Sequence, residues 1–181
     1  MSNNIDQFSI YTAKIFEILY DSFPIPSAID DREIIKNYLT FNKNKELEEL
    51  KHKRECIGLF SIINDEKANA IAKEYAPIIN KQYSELEHEL LVEKRQQKQI
   101  FNGTLDFLCY EGLIRECDYG YQLTSKGFSH LNKSFKGGEI TNENDRNISI
   151  LKSVFEKSSE TSLQVAAGTI VNVLTKVLGY S

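Results

Sequence analysis

Residues 104–131 read TLDFLCYEGLIRECDYGYQLTSKGFSHL, and the hydrophobic period changes twice within that stretch. Up to Tyr110 the apolar residues recur at helical spacing. With Phe101 just upstream, Leu105 and Leu108 share one face, and Cys109 lies beside them. Gly112 follows, the residue type that most easily takes the left-handed conformation at a helix end. LIREC and YQLT then read as short strands joined through Asp118-Tyr119-Gly120, a glycine-containing hairpin connection. Thr124 or Ser125 offers a side-chain oxygen to cap the next helix, whose inner face is Phe128, Leu131 and Phe135. The stretch therefore predicts a helix over 97–111, a hairpin over 113–124 and a helix over 125–135.

Upstream, residues 4–22 carry Ile5, Phe8, Tyr11, Ile15, Ile18 and Leu19 at three- and four-residue spacing, the pattern of an amphipathic helix. FPIP must end it, because Pro24 and Pro26 hold the chain extended. A short helix through Leu39 follows, with Ser27 or Asp30 as its cap. Residues 45–63 and 65 to about 99 also read as helical, the latter with a stripe of Ile71, Tyr75, Ile78, Ile79, Tyr83, Leu86 and Leu90. Pro77 interrupts that stripe and is expected to kink the helix or to start a new one. The Gly- and Asn-rich KGGEITNENDRN marks a boundary. Beyond it, 147–157 and 160–178 read as two amphipathic helices. The expected fold class is mainly α with a small antiparallel β-hairpin.

Composition narrows the function classes. The 181 residues, 41% apolar and 27% charged, describe an ordinary globular chain and exclude wholesale disorder. A net charge of −4 sets the chain apart from strongly basic nucleic-acid binders, so any such face must be a local patch. Cys56, Cys109 and Cys117 are odd in number, lack CxxC spacing and fall in apolar surroundings, which reads as reduced thiols in a cytoplasmic protein. The N-terminal residues lack a signal-peptide pattern, and no run of 18 apolar residues exists, so membrane association is not expected. His52, His88 and His130 are scattered, so no metal site is expected. Abundant Asn, Lys and Ile hint at an AT-rich coding genome such as that of a bacterium or phage.

TLDFLCYEGLIR followed by YGYQLTSKGFSHL resembles the closing part of the winged helix-turn-helix superfamily: an apolar helix, then EGLIR, a hairpin, and LTSKG. With helix 4–22 as the first helix, the resemblance implies a winged-helix domain over 1–136 with a helical insertion at about 28–96. A linker over 137–146 and a C-terminal helical interaction segment over 147–181 complete the expected organisation. Proteins of this superfamily commonly set the third helix in the major groove of DNA and the wing against the backbone. Carried onto this chain, the resemblance implies Lys94, Arg95 and Lys98 at phosphates, Gln99 and Asn102 at base edges, and Arg115 and Lys126 as phosphate contacts flanking the wing.

The residues themselves give that implication thin support. The outward stripe of the third helix is Gln99, Asn102, Gly103, Asp106 and Tyr110, which includes a carboxylate and no cation, and the wing tip is Asp118-Tyr119-Gly120. Residues 94–136 hold seven Lys or Arg against four Asp or Glu, a net of +3, whereas strong binders use roughly 6–10 phosphate contacts. A dimer would double the candidates. The leading reading is a dimeric regulatory or accessory protein binding double-stranded DNA; the alternative is a non-enzymatic adaptor that uses the same module and the C-terminal helix to hold a larger protein partner. For that helix the expected interface is Leu163, Ala167, Ile170, Val171, Leu174 and Leu178, serving a homodimer or a different partner. No catalytic motif or phosphate-binding loop is present in the sequence, and neither catalytic residues nor a cofactor are expected.

Overall fold

A computed structural model describes residues 4–39, 41–60, 62, 65–134, 142, 144, 146–157 and 163–178; for Lys157, residues 163–167 and Leu178 it describes the backbone alone. The described elements are α1 (Asn4–Ser22), α2 (Asp31–Tyr38), α3 (Asn44–Phe60), α4 (Glu66–Tyr110), β1 (Ile114–Cys117), β2 (Gly120–Leu123), α5 (Ser125–Asn132), α6 (Asn147–Lys157) and α7 (Leu163–Leu178). The chain is mainly helical with one two-stranded antiparallel sheet, the expected class. It divides into two compact units: Met1–Leu39 with Gln97–Ser181, and Thr40–Gln96. Part of the expected linker over 137–146, together with Phe135, lies outside the described residues.

In the first unit α1 is the axis of the core. Ile10, Tyr11, Ala13, Ile15, Phe16 and Leu19 are buried, and so are Gln7, Ser9 and Thr12. A helix buried nearly all round lies between other elements rather than on a surface, and α1 meets α2, α6, α7 and β2. Its polar residues concealed that position, because Gln, Ser and Thr read as a solvent face. Ser9 resolves its own burial by donating to the Ile5 carbonyl at 2.8 Å. Ile5, expected on the inner stripe, is 60% exposed at the helix start.

The opening stretch builds the opposite wall of this core. Phe101, Leu105, Leu108, Leu113, Ile114, Leu123 and Leu131 are all buried in one cluster with α1. Ile114 pairs with Leu123, Arg115 with Gln122, Glu116 with Tyr121 and Cys117 with Gly120, leaving Asp118 and Tyr119 as the turn. Gly112 ends the helical run at φ +65, as its type suggested. Thr124 caps α5, accepting from the Gly127 amide at 3.1 Å. Asp30 caps α2, accepting from the amides of Arg32 at 2.9 Å and Glu33 at 3.1 Å.

Three features depart from the sequence reading. First, α4 continues through Pro77 rather than starting anew there, and it joins the helices expected over 65 to about 99 and over 97–111. A helical proline forfeits the hydrogen bond to the carbonyl four residues back, and Pro77 is exposed, so water can reach that side of the helix. Second, Ser27 adds a third rung to the hairpin: its amide donates to the Tyr121 carbonyl at 2.8 Å, and the Tyr121 amide donates to the Ser27 carbonyl at 2.9 Å. The extended FPIP segment that ends α1 thus leads into a single-residue strand. Third, α7 is a core element. Ile170, Val173, Leu174 and Val177 are buried, and α7 packs on α1, α5 and α6. Ile170 and Leu174, expected at a partner interface, therefore serve the chain's own core. Val171 is half-buried, and the side chains of Leu163, Ala167 and Leu178 lie outside the described residues. The physical reason is α1: it is buried nearly all round, and α6 and α7 supply part of that cover.

Candidate interaction face

The last turns of α4 and the β1–β2 hairpin present one side chain set to the core and another to solvent. Phe101, Leu105 and Leu108 point inward, while Gln99, Asn102, Gly103, Asp106 and Tyr110 form an exposed stripe. Tyr110 is 89% exposed, and Tyr119, at the hairpin turn, is 85% exposed. Two phenols so fully in water are uncommon for rings that carry a large apolar area. Glu116 and Asp118 are exposed on the hairpin, and Glu111 is half-buried just past the end of α4.

Electrostatics join these pieces. Burial raises the Cys109 thiol above its ordinary value, and the nearby Glu116 and Asp106 carboxylates raise it further. Burial likewise raises the Tyr121 phenol, with Glu116 again the leading charge and Asp106 contributing. Asp106 on α4 and Glu116 on β1 therefore act on the same two groups and share one acidic neighbourhood. Between residues 106 and 126 four carboxylates stand against two cations, Arg115 and Lys126.

Both of those cations are engaged within the fold. Arg115 donates to the Gln122 side-chain oxygen from Nε at 2.9 Å and from Nη2 at 2.5 Å. Gln122 in turn donates to the Pro24 carbonyl. This chain of bonds fastens the hairpin to the segment after α1. Lys126 donates to the Glu111 carbonyl at 2.6 Å, satisfying a carbonyl at the end of α4. Lys98, one of the expected phosphate contacts, pairs with Asp31 at 3.1 Å. Gln99 and Asn102 are exposed on the same helix side as Asp106. Lys94 and Arg95 are exposed too, but belong to the other compact unit.

Of the seven residues expected at DNA, the fold thus brings Lys98, Gln99, Asn102, Arg115 and Lys126 into one unit and gives three of them internal partners. Exposed in this region are instead the carboxylates Asp106 and Glu116 and the phenols Tyr110 and Tyr119. Asp106 and the turn residues were visible in the sequence as a lack of positive charge. The engagement of Arg115 and Lys126 was not, because it depends on strand register and on where the helix ends. Among the described residues no group of three His, Cys, Asp or Glu is placed to hold a metal ion, and no helix is long and apolar enough to cross a membrane. No family model, curated protein or solved structure matches the chain.

Proposed function

We propose that this chain is a non-enzymatic adaptor built on a winged-helix module, and that it holds a protein partner through the face of Asp106, Tyr110, Glu116 and Tyr119. Support for the winged-helix reading is the element order: α1, the Ser27 rung, α2, the last turns of α4, then a hairpin on which the Ser27 rung pairs. The resemblance implied a helical insertion at about 28–96; on this reading it would instead begin after α2 and run to those last turns. A fold of this kind hosts unrelated functions, so the choice rests on the face itself.

The observation that carries the choice is the chemistry of the side a winged helix would turn to DNA. It is acidic and aromatic, whereas duplex binding draws most of its non-specific affinity from Lys and Arg at phosphates. Exposed tyrosines are instead among the residues that protein interfaces enrich. The amides of Gln99 and Asn102 favour a second reading, a regulatory DNA-binding protein, since such amides bond adenine edges.

One experiment separates the two. The tagged 181-residue chain is used to recover interacting proteins from its native cell, beside Tyr110→Ala and Tyr119→Ala variants of unchanged circular dichroism. The adaptor reading expects a partner held by the wild type and lost from both variants. A partner held equally by all three chains, or none at all, counts against it. Saturable duplex binding that Gln99→Ala and Asn102→Ala weaken supports the second reading.

A further inference from the structure

The Thr40–Gln96 unit is a helical hairpin with very little interior. α3 runs antiparallel to the first part of α4: Lys43 meets Glu89 at 2.6 Å, and Arg54 lies over the Tyr83 ring at 4.9 Å. Further along, Ile57 and Gly58 face Ala72 and Ala76 across a groove of about 500 Å3. Small residues on both sides keep that end of the hairpin open. Among the described residues of this unit only Leu50, Ala72 and Leu86 are buried apolar side chains.

Its largest apolar side chains stand in water instead. Ile71 is 48% exposed, Tyr75 47% and Ile78 52%. Their spacing of four and three residues sets them on one stripe of α4, roughly a quarter turn from the Ala72–Leu86 side that faces α3. The sequence grouped these residues in one apolar stripe with Ile79, Tyr83, Leu86 and Leu90. Phe60, 40% exposed, and Leu59 and Ile62, more exposed still, lie at the same end of the hairpin.

We infer that the Ile71–Tyr75–Ile78 stripe is the interface between two copies of this chain, packed antiparallel about a two-fold axis near Tyr75. Two helices alone cannot shelter both of their apolar faces. Two hairpins form a four-helix bundle, the simplest arrangement that does. The area is sufficient. The exposed parts of Phe60, Ile71, Tyr75 and Ile78 amount to roughly 400 Å2 of apolar side chain per copy; at the roughly 65% apolar content of homodimer interfaces, pairing them makes an interface of about 1,200 Å2, the lower edge of stable specific association.

Charge fits the same arrangement. Lys67 precedes Tyr75 by eight residues and Glu85 follows it by ten. In an antiparallel pair centred on Tyr75, Lys67 of one copy falls within one helical turn of Glu85 of the other, and the symmetry makes this contact twice. This inference stands apart from the docking reading above, because it uses the other compact unit. It also puts self-association where apolar surface is exposed, rather than on α7, whose Ile170 and Leu174 are spent in the core.

The test is sedimentation velocity on the full chain at about 50 µM, a concentration at which an interface of micromolar affinity is mostly paired. The expected species has twice the chain mass. Tyr75→Glu and Ile78→Glu change exposed residues, so each is expected to keep the helical circular dichroism signal and to weaken dimerisation at least tenfold. In a chain with Cys56, Cys109 and Cys117 changed to Ser, Tyr75→Cys is expected to form an intermolecular disulfide near the axis, and Leu91→Cys is not. A monomeric wild type, dimers undiminished in both Glu variants, or crosslinking at Leu91 as efficient as at Tyr75 would each overturn the inference.

Discussion

Replacing Gly120 by alanine tests the feature that ties the wing to the segment after α1. Gly120 adopts φ +130, and a Cβ there would sit 2.3 Å from the Ser27 carbonyl oxygen and 2.7 Å from its carbon. Both contacts are to backbone, so no side chain can move aside. The dihedral alone, in a region nearly closed to other residues, costs about 1–3 kcal/mol. Relieving the clash means withdrawing Ser27, which breaks the two Ser27–Tyr121 hydrogen bonds at about 0.5–1.5 kcal/mol each. The expected loss is therefore about 4 kcal/mol. Gly112 supplies the control: its φ is +65, and nothing lies within 4 Å of a Cβ there. Gly112→Ala pays for backbone strain alone, about 1–2 kcal/mol. Urea denaturation followed at 222 nm, with all three chains compared at equal concentration, reads the difference of about 2 kcal/mol. If Gly120→Ala costs no more than Gly112→Ala, the Ser27 carbonyl does not press on the turn and the third rung is refuted.

Other outcomes follow from the same packing. Leu174→Ala is expected to cost about 2–5 kcal/mol, as for a buried leucine, and deleting residues 147–181 should leave a chain that loses cooperative thermal unfolding, because α1 is uncovered. A deletion chain that melts as sharply as the parent would contradict the core role of α7. Tyr11→Phe removes a buried hydrogen bond to the Gln97 side-chain oxygen at 2.7 Å and should lower stability by about 1–2 kcal/mol in the same urea assay. Burial holds the Cys109 thiol and the Tyr38 and Tyr121 phenols above their ordinary values, so above roughly pH 8.5–10 the folded chain retains protons that the unfolded chain has released. Stability should be constant in those groups at lower pH and fall as pH rises through the folded values; a melting temperature unchanged between pH 7.5 and 10.5 would contradict this.

The stretch from Thr104 to Leu131 was the most legible part of the chain, because each of its signals is local. Helical spacing, a glycine past the helix end, a short turn and a threonine cap act within a few residues, and the structure uses each of them. What stayed hidden depends on contacts distant in sequence. Nothing near Ser27 announces a pairing with Tyr121, 94 positions along. The burial of Gln7, Ser9 and Thr12 follows from α1 being packed among several elements distant in sequence, which helical periodicity alone does not show. The same limit misplaced α7: its apolar side was evident, but an apolar side looks alike whether it meets a partner or the chain's own first helix. At the candidate face, the missing positive charge was plain in the sequence, while the engagement of Arg115 with Gln122 and of Lys126 with Glu111 needed the register and the helix end.

On the proposed function, the acidic, aromatic face serves a protein and not a duplex. Fluorescence anisotropy of a labelled mixed-sequence duplex, titrated with the full chain at 50 mM salt, tests it most directly, since low salt gives phosphate contacts their greatest strength. The wild type is expected to show no saturable binding, and introducing Asp106→Lys and Glu116→Lys together is expected to create salt-sensitive binding. Saturable binding by the wild type that weakens steeply between 50 and 200 mM salt would contradict it.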